Sequence, residues 1–119
     1  MEMKRAPHDI TPVEFFTRWI PESVASDHVR REKLGETRAR IVFELIGDDG
    51  GHFTIDIESG VVAGRPGDDG EEHLRVRVDV ATWRKLNSGE WSAPEAMLKR
   101  RLKLNGDFVL GLKLHLILS

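Results

Sequence analysis

Between Thr37 and Val78 apolar side chains recur at every second residue, and that period constrains the fold more than any other feature of the chain. Ala39, Ile41, Phe43 and Leu45 alternate with Arg38, Arg40, Val42 and Glu44. Successive side chains of an extended strand point to opposite faces, so this stretch predicts a half-buried strand. Gly47-Asp48-Asp49-Gly50-Gly51 carries the residue types of a hairpin turn. Phe53, Ile55 and Ile57 then alternate with His52, Thr54, Asp56 and Glu58. Ser59-Gly60 marks a second turn before a short strand from Val61 to Ala63. A Gly/Asp-rich loop runs on through Glu72, and Leu74, Val76 and Val78 form the next strand with Arg75 and Arg77 facing out. The expectation to this point is an antiparallel meander with one wet face.

Helical signals flank that sheet. Residues 1–10 carry no periodicity and read as a loose arm. Thr11, Pro12 and Glu14 are a helix start, with a hydroxyl cap, proline at the first helical position and an acid three residues after the cap. Phe15, Phe16, Trp19 and Ile20 make one apolar stripe, and Pro21 is expected to end or kink the helix. A second short helix is expected within residues 22–33, anchored thinly by Val24, Ala25 and Val29. Asp79 can cap a helix from about Val80 to Asn87, with Trp83 and Leu86 on one face and Gly89 at its end. Ser92 and Glu95 form a capping box around Pro94, and Met97 and Leu98 supply the next helix with its apolar side. Leu102 and Leu104 alternate with Arg101, Lys103 and Asn105 as a fifth strand. In the tail, Phe108, Leu110, Leu112, Leu114, Leu116 and Leu118 alternate perfectly, which selects a strand on periodicity alone. Leucine's helix propensity and Asp107 as a cap favour a helix instead.

The 119 residues amount to one domain, and a chain of that size buries roughly two thirds of its unfolded surface. Residues 1–33, arm and helix, are read as part of the same domain as residues 34–119. With no cysteine in the chain, disulfides, thiolate zinc sites and cysteine nucleophiles are excluded. Arg5, Asp9, Glu14 and Arg18 interrupt every early apolar stretch, and the run from Phe108 to Leu118 is about half a bilayer span, so a cytoplasmic protein is expected. A net charge of −2 argues against a nucleic-acid partner. His8, His28, His52, His73 and His115 sit in no recognisable motif. His52 and Asp56, four residues apart on one strand face, are separated by about 13 Å and cannot share a metal or a proton. Without a nucleophile elbow, a phosphate loop or a metalloprotease signature, neither catalysis nor a cofactor or metal is expected. The Asp pairs at 48–49 and 68–69 lack the alternating ligand spacing of a calcium loop and are assigned to turns.

Two features remain that bear on binding. Lys99, Arg100, Arg101 and Lys103 form a basic cluster that contrasts with the acidic middle of the chain. It reads either as charge protecting an edge strand or as a contact for an anionic head group or membrane surface. Trp83, Leu86, Trp91, Met97, Leu98, Phe108 and the leucine-rich tail make an apolar inventory attached to short elements around one small sheet. Such a set either packs a core or lines an apolar cavity.

The order of these pieces resembles the sterol carrier protein-2 lipid-transfer family over residues 37–118. The matching blocks are Phe53-Thr54-Ile55-Asp56-Ile57-Glu58-Ser59-Gly60, Leu74 to Val78, Trp83-Arg84-Lys85-Leu86-Asn87-Ser88-Gly89, and Pro94-Glu95-Ala96-Met97-Leu98. Leu102-Lys103-Leu104-Asn105-Gly106-Asp107 running into Leu110 to Leu118 completes the set. The resemblance implies an α+β fold: a five-stranded, mainly antiparallel sheet with helices on one face, enclosing an apolar tunnel for fatty acyl chains, sterols or other lipids. It implies a helix from Asp107. It places Trp83, Leu86, Trp91, Met97, Leu98, Leu104, Phe108 and Leu112 beside the tunnel, with Phe43, Phe53 and Ile55 as its floor. The implied partner is a lipid or fatty acyl ligand, with transient membrane contact. Arg100 stands where members often have glycine, and Arg100-Arg101 is similar to a bacterial branch linked to ubiquinone biosynthesis. A bacterial or archaeal cytosolic member, a carrier or an accessory factor with a closed cavity, is the expectation.

Overall fold

The computed structural model of the protein describes residues 6–118. The alternating segments form strands β1 (Ala39–Ile46), β2 (Gly51–Glu58), β3 (Val61–Pro66) and β4 (Leu74–Asp79), and β5 (Leu102–Gly106) completes an open sheet in the order β3-β2-β1-β4-β5. Three pairings are antiparallel, but β1 and β4 run parallel, so the sheet is mixed rather than a plain meander. Segment 67–73 makes the difference by carrying the chain across the outer face to the far side of β1. The Gly67 N–H donates to the His52 carbonyl, and the Thr54 hydroxyl donates to the Gly67 carbonyl, each at 2.8 Å. The centre of the outer face is therefore not wet. Val42 and Thr54 are fully buried beneath this crossing.

Helices cover the inner face. α1 (Pro12–Glu14) opens with the Thr11 hydroxyl accepting from the Glu14 N–H, a π-helical turn follows over Phe15–Trp19, and α2 (Ile20–Ala25) continues the same rod. Pro21 does not end the helix. A proline ring clashes with the carbonyl four residues earlier in a regular α-helix, and the widened turn just before it relieves that crowding. Asp27 caps α3 (His28–Leu34), Asp79 caps α4 (Val80–Ser88), and Gly89 closes α4 in the left-handed conformation. The capping box of Ser92 and Glu95 starts α5 (Ala93–Leu98). Residues 6–10 of the expected loose arm are docked, since Ile10 is buried and the Arg84 guanidinium donates to the carbonyls of His8 and Ile10. Residues 1–5 lie outside the described residues.

The tail is helical, as α6 (Phe108–Leu112), capped by the Asp107 carboxylate, and α7 (His115–Leu118). The strand selected by alternation is overturned. Among the described residues Leu110, Leu114 and Ile117 are buried, spaced four and three apart; the alternating leucines supply the first two, and Ile117, outside the alternation, completes the helical face. Gly106, at φ 125°, turns the chain off the sheet, where a β-carbon would overlap the His73 carbonyl oxygen.

Candidate functional site

The inner face is apolar row upon row, and its centre is aromatic. Phe43 and Phe53 are cross-strand partners on β1 and β2, and Ile41 and Ile55 are the next inward-facing pair. Phe16 drops onto them from the π-helical turn, with ring centroids 4.8 Å from Phe43 and 4.9 Å from Phe53. Trp83 reaches in from α4, 6.3 Å from Phe16 and 5.3 Å from Phe15. All five rings are buried, as is Ile55. Among the described residues the Trp83 indole Nε1 is buried without a hydrogen-bond partner. A lone donor in an apolar layer is costly.

The eleven apolar residues assigned to the tunnel fall into two sets. Phe43, Phe53, Ile55 and Trp83 meet at the centre and pack around Phe16. The other seven lie outside that centre, on α4, the loop after it, α5, the edge strand β5 and α6. Leu86, Trp91 and Leu104 are half-buried against the core, whereas Met97, Leu98, Phe108 and Leu112 are exposed at 41%, 85%, 68% and 76%. α6 lies along β5 closely enough that a β-carbon on Gly111 would sit 3.1 Å from a Leu104 methyl. Trp91 is framed by cations, with the Lys85 and Lys99 ammonium groups 4.2 and 5.2 Å from its ring. Arg100, Arg101 and Lys103 are also exposed at this edge, and Arg101 lies 3.9 Å from Asp79.

Phe15 and Phe16 are the site residues that sequence reasoning missed. Their helix stripe was legible, but its destination depends on how close the helix can come to β3. Gly64 permits that approach, because any β-carbon there would overlap the Phe16 carbonyl oxygen.

The outer face carries the charge instead. Arg40 and Arg65 grip Asp56 at 2.9 and 2.7 Å, and Arg65 continues to Asp69. Glu44, His52 and Asp68 place one ligand atom each within 4.8 Å of one another, a spacing a metal ion could use. Arg75 stands among them, donating to Glu44 at 2.6 Å and Asp68 at 2.8 Å and also pairing with Glu72, so a guanidinium already supplies the positive charge. Sequence spacing alone could not show this group, because the crossing loop delivers Asp68 to strands distant in the chain.

These ion pairs make a pH prediction. Burial alone would push the Asp56 carboxyl up, but the hydrogen bonds from Arg40 and Arg65 outweigh it and hold the group below its ordinary value of 3.8. Asp68 is held low by Arg75 and by the Gly70 N–H. A carboxyl depressed in the folded state stabilises the fold above 3.8 and loses that contribution as pH falls below it through the folded value. The urea midpoint is expected to fall below about pH 4. Asp56→Asn should lower the midpoint at neutral pH and flatten the acid slope, and a slope unchanged in that variant would remove Asp56 from the account.

The sequence model of the SCP-2 sterol transfer family matches residues 18–119. The chain belongs to the SCP-2 sterol transfer family. Membership supports a lipid-binding carrier function for this SCP-2 domain. It is 29% identical over 110 residues to human hydroxysteroid dehydrogenase-like protein 2, covering 90% of this chain but 25% of that one, so it spans about a quarter of the curated relatives it matches. Among solved structures it is similar to the sec-alkylsulfatase Pisa1 from Pseudomonas sp., with a TM-score of 0.69 at 21% identity over 92% of this chain and 17% of that one. It is similar to palmitated SCP2L2 from Aedes aegypti, with a TM-score of 0.63 at 15% identity over 90% and 94% of the two chains. UbiJ-SCP2, a ubiquinone synthesis protein, is similar with a TM-score of 0.65 at 12% identity over 84% and 86%. These likenesses show the fold. No helix among the described residues of the SCP-2 domain is long and apolar enough to cross a membrane.

Proposed function

We propose that the domain is a non-catalytic carrier that takes a fatty acyl, sterol-like or isoprenoid chain in at the β5 edge and lays it between the helices and the inner face of the sheet. The observation that carries the reading is the gradient of burial among apolar residues. Met97, Leu98, Phe108 and Leu112 are exposed, Leu86, Trp91 and Leu104 are half-buried against the core, and Trp83 is buried in its aromatic centre. The unpartnered Trp83 Nε1 at the inner end supports the same path. Burial of a sixteen-carbon chain contributes on the order of 10 kcal/mol gross, at about 0.8 kcal/mol per methylene, and association costs consume a sizeable part of it. Micromolar binding then needs no ion pair or catalytic group. Phe15 and Phe16 precede the stretch matched by the family, and in this reading Phe16 holds the place of the chain until it is displaced.

Met97→Arg tests the entrance. Met97 is 41% exposed, so the fold should tolerate the change, with a stability loss of about 1 kcal/mol or less. Uptake of a fluorescent acyl probe should fall at least tenfold, because a guanidinium would have to be desolvated along the path. Unchanged uptake in the folded variant would put the entrance elsewhere.

The tight packing of Phe16 on Phe43 and Phe53 favours a second reading, an accessory subunit of a lipid-metabolising assembly whose cavity stays closed. The likeness to a ubiquinone synthesis protein is compatible with it. In that case neither wild type nor any edge variant takes up probe.

A further inference from the structure

We propose that the edge built from α5, β5 and α6 docks onto an anionic lipid bilayer. This goes beyond the cargo reading, and its test needs no cargo. Leu98, Phe108, Val109 and Leu112 are exposed at 85%, 68%, 66% and 76%, four large apolar groups on the two helices that flank one strand. Between those helices the chain places Lys99, Arg100, Arg101 and Lys103, all exposed. Asp107, the helix cap, is the one carboxylate within residues 97–112, although the chain as a whole has a net charge of −2. Apolar side chains that enter the acyl boundary, set among cations that meet anionic head groups, are the chemistry of an interfacial surface.

Arg100 gives an independent pointer. α5 ends in a motif in which the Arg100 N–H bonds the Met97 carbonyl and the Arg101 N–H bonds the Ala96 carbonyl. The residue at the turn of that motif must be left-handed, and glycine fills it without steric penalty. Here it is Arg100, at φ 59°. The fold accepts a strained arginine where glycine would serve the backbone better, which points to work done by the side chain.

A second copy of this chain is the weaker occupant. Two-fold pairing would set each basic cluster against its own copy, and like charges repel across such an interface.

The test is flotation of the full chain with vesicles of phosphatidylcholine, with and without phosphatidylglycerol. Binding is expected only with phosphatidylglycerol and should weaken as salt rises. Arg100→Gly should raise thermal stability while lowering partitioning about fivefold, and Arg100→Gln with Arg101→Gln should lower it about 25-fold, at about 1 kcal/mol per basic residue. Leu98→Ser with Phe108→Ser should lower it tenfold or more. Equal binding to neutral vesicles, or partitioning untouched by Arg100→Gly, overturns the proposal. So does a concentration-dependent dimer, seen by light scattering, that the serine pair dissolves.

Discussion

Phe16→Ala should cost about 3–5 kcal/mol of stability and at the same time strengthen uptake of an acyl probe. The loss follows from burial. Phe16 is fully buried and packs on Phe15, Phe43, Phe53 and Trp83, so removing its ring leaves a cavity walled by aromatic groups that strands and helices hold apart. At about 4 °C per kcal/mol, Tm should drop by roughly 12–20 °C. The gain has a different origin. If an acyl chain has to displace Phe16 to lie on the inner face, its measured affinity carries the cost of that displacement, and the variant removes it. Thermal melting and probe titration on the same sample separate the two effects. A variant that is destabilised yet takes up no more probe than wild type would make Phe16 ordinary core and would favour the closed accessory module.

Gly64→Ala should be nearly as damaging to stability, by about 3 kcal/mol, though it adds only one methyl group. Gly64 lies on β3 opposite Ile55, and a β-carbon there would overlap the Phe16 carbonyl oxygen and press on the Ile55 side chain. Neither neighbour can yield cheaply. The carbonyl belongs to helix backbone, and Ile55 is fully buried in the central rows. The π-helical turn would have to lift from the sheet and take the Phe16 ring out of its stack. Chemical denaturation measures the loss. A change below about 1 kcal/mol would show that the helix does not need this close approach.

The sheet was legible in the residues because β1, β2, β4 and β5 each carry a two-residue period and glycine turns join the first three strands. Gly47 to Gly51 and Ser59-Gly60 set both hairpins, and the caps at Thr11, Asp79, Ser92 and Asp107 mark helix starts that the structure keeps. The place of β4 was not legible. Its alternation reads the same beside β1 in parallel as it would beside β3 in antiparallel, and the crossing loop that decides is rich in Gly and Asp with no period. The tail misled for a related reason, since leucines at every second position include the four-residue step from Leu110 to Leu114, while Ile117, which completes the helical face, lies outside the alternation.

For the site, the resemblance to the family supplied residue types and their order, whereas burial depends on contacts the order does not contain. Trp83 and Phe53 were named for a tunnel, and they sit in the aromatic stack that Phe16 completes. Met97, Leu98, Phe108 and Leu112 were named for the same tunnel, yet face outward at the β5 edge. Phe16 escaped notice because an apolar helix stripe says that a face is buried, not against what. The glycine that admits it lies on a strand distant in sequence.

The central claim is that this domain holds a lipid chain, and denaturing organic extraction of the purified protein followed by mass spectrometry of the extract tests it most directly. The account predicts a fatty acid, phospholipid or isoprenoid at close to one per chain, with the yield reduced in Met97→Arg. An extract empty of lipid, from protein that also fails to take up an acyl probe in both its wild-type and Phe16→Ala forms, would contradict it.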